Sequence, residues 1–403
     1  MLTPLELQEA YNAGKRSFPQ VQLAGQLLEG MILNEAFLAR ANLQGAYLCY
    51  SQLLGVNLVQ ANLRHAELVR VNLKQANLSE ADLRGANLVE ANLTRASLFQ
   101  AQLDGANLTE ANLTDSNLRQ ASLNGATLPG SNLRKADLQG AYLARVQLAG
   151  ADLGEANLAG AVLSRGELNG VILTQANLRS ADLTGSNLTR ADLYRADLTG
   201  ANLIRADLTG AELGRVCLRQ ACLSAAVLNR ATLQGADLQG GDGWTDLSSA
   251  VLTDCNLSDA DLRRVNLTRA NLSGAILTGA DLRGAQLWGA NLTNADLTGA
   301  NLAGTDLRMT LLTDAKLHRA DLSACNLQGV DLSRRELTRV NLHRADLRGA
   351  NLSRAVLHQA DLMEALLEGA DFSEADLREA RLTATLDGAN FKGARLPNLR
   401  SAP

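Results

Sequence analysis

Residues 106–118 read ANLTEANLTDSNL. The stretch repeats a small residue, then Asn or Asp, then Leu, then two variable positions. With Leu as position i, centres recur at Phe18, Leu23, Leu28 and every fifth residue through Leu238, 45 positions without a miss. A second register holds 28 centres from Leu247 to Leu382, Phe372 among them, and a third holds Leu386, Phe391 and Leu396. The chain has 76 centres in all.

Five is the wrong period for an ordinary element. On a helix, Leu every five residues spirals round the axis and faces no common core. On a strand, an odd period sends successive Leu to opposite faces. The chain must therefore turn once per repeat. Position i−2 is nearly always Ala, which predicts a tight interior beside each Leu. Position i+2 is often Gly, suited to turns that need φ > 0, but Arg, Glu and Gln also occur there, so not every turn can demand Gly.

The A(D/N)LXX motif resembles that of the pentapeptide-repeat family, over about Arg16 to Asn398, and points to a bacterial, cyanobacterial-type relative. The resemblance implies an all-β fold, a right-handed quadrilateral β-helix with four pentapeptides per coil. Positions i and i−2 would point inward and the other three outward. On that reading 76 units make 19 coils, a rod on the order of 90 Å long at the inter-strand spacing.

The expected organisation is a capping helix at 1–15, a first repeat segment at 16–240, an inserted loop at 241–244, a second segment at 245–398 and a tail at 399–403. A chain of 403 residues would ordinarily suggest two or three domains, but solenoids grow in one dimension without splitting. Aromatic residues make up only 3%, as a narrow Leu column requires. Net charge is −4, close to balance, which argues against a nucleic-acid or anionic-membrane binder. No signal peptide and no run of 18 apolar residues is apparent, so the expectation is a soluble cytoplasmic protein. Five cysteines without metal-ligand spacing fit a reducing compartment.

Thr3-Pro4-Leu5-Glu6 reads as a capping box, and Gly14 suits a C-terminal cap, predicting a helix from Pro4 to Ala13 over the open end of the first coil. The first coils carry apolar residues at outward positions: Ile32, Phe37, Tyr47, Cys49, Tyr50, Leu54 and Val59. Cys49, Val69 and Val89 recur at i+1 on one side, flanked by Tyr47 and Tyr50. Either this is a partner surface or the N-terminal helix folds over it.

The register breaks at 239–246, where a four-residue insertion carries Asp242 and Trp244. Insertions in solenoids are extruded as loops, serving either as corners or as partner contacts. The other tryptophan, Trp288, is a further candidate contact. In the second segment, hydroxyls recur at i+1 from Thr253 to Ser373, as is common on β-helix faces. Arg335 falls at i−2, where a small residue belongs; either the turn is rearranged there or the side chain escapes to solvent. A basic band (Arg334, Arg339, Arg344, Arg348, Arg354) precedes an acidic one from Asp361 to Glu379, which suggests mutual neutralisation or a patterned docking site. The register slips one residue short at Thr385. No C-terminal helix is expected, so that end reads as uncapped and available for a homodimer or a partner.

Catalysis needs unlike groups converging in a pocket. Here the acids recur in ADL units, His318 and His358 fall two coils apart, and no cofactor fingerprint or metal set appears. The expectation is a non-catalytic scaffold without cofactor or metal, presenting side-chain columns to protein partners. Tyr47, Tyr50, Val69, Val89, Asp242, Trp244, Trp288 and Arg335 are the candidate contacts. The alternative comes from the resemblance: some family members mimic duplex DNA and bind type II topoisomerases such as gyrase. The mixed charge fits that less well.

Overall fold

The computed structural model describes residues 2–239, 245–382 and 388–397. They form two compact units, Met1–Asp207 and Leu208–Pro403, each with its own ladder.

The first unit opens with helix α1 (Pro4–Asn12). Thr3 Oγ1 accepts from the Glu6 N–H at 3.3 Å, and Glu6 Oε2 accepts from the Thr3 N–H at 2.8 Å. Two orphan donors of the first turn are thus satisfied reciprocally. The helix stops one residue before the expected end, with Ala13 as its cap and Gly14 at φ +94°.

Beyond α1 the chain returns to pair with itself in parallel every 20 residues, so four five-residue units make one turn. In this unit the described bridges all fall at i−1, as in the series Gln22, Asn42, Asn62, Asp82. Three backbone bonds per unit tie the turns together. Leu23 N–H donates to Asn42 O at 2.8 Å, Gly25 N–H to Gln44 O at 2.8 Å, and Asn42 N–H to Val21 O at 2.9 Å. A fourth, Ala41 N–H to Leu38 O at 3.0 Å, closes the corner. Every i+2 residue of the described repeats has φ > 0, and the non-glycine ones cluster between +53° and +62°. The turn therefore demands the left-handed region everywhere, not only where glycine stands. The ~1–2 kcal/mol this costs an ordinary residue is offset by the ladder bond its own N–H makes.

Asn or Asp at i−1 has a local reason. Its Oδ1 accepts the i+1 N–H, as Asn57 does from Val59 at 3.1 Å and Asp182 from Thr184 at 3.0 Å. Asn adds a bond along the column: Asn177 Nδ2 donates to Asn157 Oδ1, and Asn157 Nδ2 to Asp137 Oδ1, each at 2.9 Å. Inside, the Leu centres are buried with Ala beside them. Each sealed Leu contributes roughly 1.5–3 kcal/mol. Where i−2 is Ser, the hydroxyl donates to a backbone carbonyl, as Ser116 does to Leu113 O at 2.6 Å. That removes the cost of burying it.

In the second unit the insertion is taken up within one turn. The pairing distance becomes 24 residues for Cys222–Asp246, Val227–Val251, Thr232–Asn256 and Asp237–Asp261, then returns to 20 at Asp246–Asn266. Buried Thr245 completes the join. Its Oγ1 accepts from the Gln220 N–H at 3.0 Å and donates to Leu218 O at 3.2 Å. Near the far end, β1 (Asp361–Leu362) pairs in parallel with β2 (Arg381–Leu382). Past the one-residue slip, Asp371 pairs with Asn390, and the Phe372 and Phe391 rings stack at 4.9 Å.

Candidate interaction surface

Near α1, bridged Leu27 and Tyr47 occupy i−1 on one side, 72% and 46% exposed, and Tyr50 on the adjoining turn is 50% exposed. Cys49, Val69 and Val89 are half-buried beside them. The helix does not fold over this face. It caps the ladder edge on the next side instead. Gln8 Oε1 accepts from the Ile32 N–H and its Nε2 donates to Ile32 O, both at 3.4 Å, and Tyr11 Oη donates to Asn34 O at 3.1 Å. These are the edge groups that a preceding coil would have bonded. The face is bounded by Arg70, whose guanidinium binds both oxygens of Glu90 at 2.8 and 3.0 Å. Those bonds hold the Glu90 carboxyl below the usual range. Around the corner, Pro19, Phe37, Ala39 and Val59 line a surface depression of about 390 Å³.

Asp242 and Trp244 lie outside the described residues. Trp288 is exposed, with the Arg269 guanidinium 5.3 Å from its ring centre. It lines a depression of about 620 Å³ together with Met309, Leu311 and Val330. Tyr47, Tyr50, Val69 and Val89 belong to the first unit, and Trp288 and Arg335 to the second.

Arg335 neither rearranges its turn nor reaches open solvent. Its backbone stays in the repeat, with its N–H on Leu332 O at 3.3 Å and its carbonyl accepting from Val356 at 2.9 Å. The side chain, 16% exposed, reaches the previous coil, where Nη1 meets Asp314 Oδ1 at 2.6 Å. Its buried Nε has no partner.

The basic and acidic bands neutralise each other coil to coil through Arg344–Glu364 at 2.7 Å and Arg354–Glu374 at 2.8 Å, and Arg381, beyond the acidic band, pairs back to Asp361 at 2.7 Å. Elsewhere Arg at i+1 clamps the Asp at i−1 of its own unit, as in Arg84–Asp82, Arg283–Asp281 and Arg308–Asp306. The same clamp from Arg348 pulls the Asp346 carboxyl down to about 2. Carboxylates held this way stay ionised at neutral pH and are poor proton donors. Among the hydroxyls of the i+1 column, Thr253 accepts from Asn271 Nδ2 at 3.3 Å. Cys255 and Cys325 are buried, and burial pushes the Cys255 thiol up to about 12. Among the described residues, no group of three or more His, Cys, Asp or Glu side chains could hold a metal, and no helix is long and apolar enough to cross a membrane.

Sequence reasoning missed Leu27, Met309 and Leu311 as exposed apolar residues. Two of them carried a signal, since Leu27 and Leu311 stand at i−1, where the turn wants an Asn or Asp acceptor.

With repeat, turn and column geometry agreeing throughout, the class is plain. Residues 41–242 and 245–398 match, in overlapping segments, the family model described as pentapeptide repeats, and the chain belongs to that family. No curated protein matches it. Among solved structures it is similar to HetL, a pentapeptide repeat protein involved in heterocyst differentiation regulation from the cyanobacterium Nostoc, at 30% identity over 79% of this chain and 97% of that one, with TM-score 0.15. It is also similar to QnrB1, a plasmid-mediated fluoroquinolone resistance protein, at 22% identity over 50% of this chain and 91% of that one, with TM-score 0.37. Rfr23, from the cyanobacterium Cyanothece, shows 27% identity over 36% of this chain and 89% of that one, with TM-score 0.15.

Proposed function

We propose that this chain is a non-catalytic scaffold, a right-handed quadrilateral β-helix of about 19 coils (four units per turn over 76 centres) that presents outward side chains to a protein partner in the cytoplasm. The observation that carries the reading is the face of Leu27, Tyr47 and Tyr50, apolar, exposed and left open by α1. Apolar residues clustered on an exposed face mark a contact site. Against catalysis stand the arginine-clamped carboxylates. The same clamps weigh against duplex mimicry, which needs rows of unneutralised acids.

The test is affinity capture with the full chain and with a Tyr47→Ser/Tyr50→Ser variant. Both side chains are outward, so the variant should keep the wild-type circular dichroism spectrum and lose its partner. Undiminished capture by the variant removes this face. Inhibition of gyrase supercoiling at micromolar concentration or below would instead promote the duplex-mimic reading.

A further inference from the structure

Among the described residues, the ladder of the second unit loses two successive bridges, and in the coil before them the Leu287 and Asp306 amides also lack the backbone acceptors that the repeat supplies elsewhere. Among the described residues no bridge joins Leu311 to Asp331 or Lys316 to Glu336, although Asn291–Leu311, Asp296–Lys316, Asp331–Asn351 and Glu336–Val356 are all formed. The N–H groups of Leu312, Leu317, Asp331 and Glu336 correspondingly have no backbone acceptor there, whereas Leu332 donates to Asn351 O at 2.7 Å and Leu342 to Asp361 O at 2.7 Å. Interior side chains at the gap are less sealed than their counterparts: Thr310 is 8% and Val330 6% exposed, against 0–1% for Ala270, Leu272, Ala290 and Leu292.

Arg335 sits at this gap. Its place at i−2 lies in a column of small residues, Cys255, Ala275, Ala295, Ala315, Ala355 and Ala375. A guanidinium does not fit an interior sized for methyl groups and cannot be left there unpaired. It passes between the coils to Asp314, 2.6 Å away. We propose that Arg335 is a wedge, and its ion pair with Asp314 a latch, that together build an opening point into the second unit at coils 309–317 and 328–336. The seam borders the depression of Trp288, Met309 and Leu311. Local opening there moves the walls of that depression without unfolding the remaining ladder. Solenoid turns contact only their neighbours, which keeps such an opening local.

Hydrogen–deuterium exchange on the full chain tests this. In the wild type, the amides of Leu312, Leu317, Asp331 and Glu336 should exchange at least tenfold faster than the equivalent amides of Asn341, Leu342, Asn351 and Leu352. Arg335→Ala, which supplies the residue its column uses elsewhere, should close the seam and slow the four amides to the flanking rate. Arg335→Ser serves as a second closing variant, since buried Ser is accommodated at i−2 in this chain. Asp314→Ala, which frees the wedge from its latch, should accelerate exchange at the seam alone. Uniform exchange in the wild type, or seam rates unchanged by Arg335→Ala and Arg335→Ser, would overturn the wedge. Slower exchange in Asp314→Ala would overturn the latch.

Discussion

Replacing Asn157 by Asp tests whether the side-chain amides along a column are structural bonds or mere surface decoration. Asn157 Oδ1 accepts from the Ala159 N–H at 3.3 Å and from Asn177 Nδ2 at 2.9 Å, while its Nδ2 donates to Asp137 Oδ1 at 2.9 Å. Aspartate keeps both acceptor roles and inverts the third contact, setting two carboxylates face to face. The lost bond to a charged acceptor is worth about 1.5–3 kcal/mol when sheltered, and these half-buried side chains put it at the lower end. With screened repulsion added, the total is about 2 kcal/mol at pH 7. For a unit of this size that lowers the melting midpoint by about 4–8 °C. The repulsion raises the folded-state pKa of the carboxyl pair above its unfolded value. The folded variant therefore binds more protons, and its deficit against wild type should shrink as pH falls through the carboxylate range near 4. Asn157→Ala, which loses all three bonds and adds no charge, should show a deficit that stays nearly constant with pH. Thermal unfolding by circular dichroism at pH 7 and pH 4, always as variant minus wild type, reads both effects. An Asn157→Asp midpoint equal to wild type at pH 7, or a deficit unchanged at pH 4, would refute the column-bond argument.

Leu158→Ala removes a fully buried centre from a column that cannot collapse, and should cost about 2–5 kcal/mol in denaturant unfolding. Thr245→Val keeps the volume but strands the Gln220 N–H, while Leu218 O keeps its bond from the Ala221 N–H; a loss of about 1–3 kcal/mol is expected, with faster amide exchange at Gln220. Cys255, whose thiol is pushed up to about 12 by burial, should resist iodoacetamide at pH 8 in the native chain and react on unfolding, as peptide mass spectrometry would show. Native labelling at a rate matching half-buried Cys49 would contradict the burial.

The repeat was legible because one residue in five is a centre and the interior tolerates almost nothing else. Period, corner positions and capping box followed from Leu, Ala and the Thr3–Glu6 pair. The demand for φ > 0 at i+2 was only half legible, because Arg, Glu and Gln there disguise a backbone requirement that glycine alone advertises. The face at Tyr47 and Tyr50 could be named from the sequence but not its openness, which depends on α1 bonding the edge at Ile32 and Asn34 rather than packing over the tyrosines. Arg335 announced itself as a misfit. Its resolution needed Asp314, a residue 21 positions earlier that nothing in the local pattern singles out.

The 24-residue turn between Cys222 and Asp261 has a meaning for how such a chain can change over time. Most sheets transmit an insertion to every later strand, because register is counted along the whole pairing. Here the count restarts after one turn: once Asp246 finds Cys222, the 20-residue spacing resumes at Asp246–Asn266 as though nothing had been added. Length changes are thereby quarantined. The corners of this molecule are splice points at which foreign segments can be written in while the remaining turns keep their addresses.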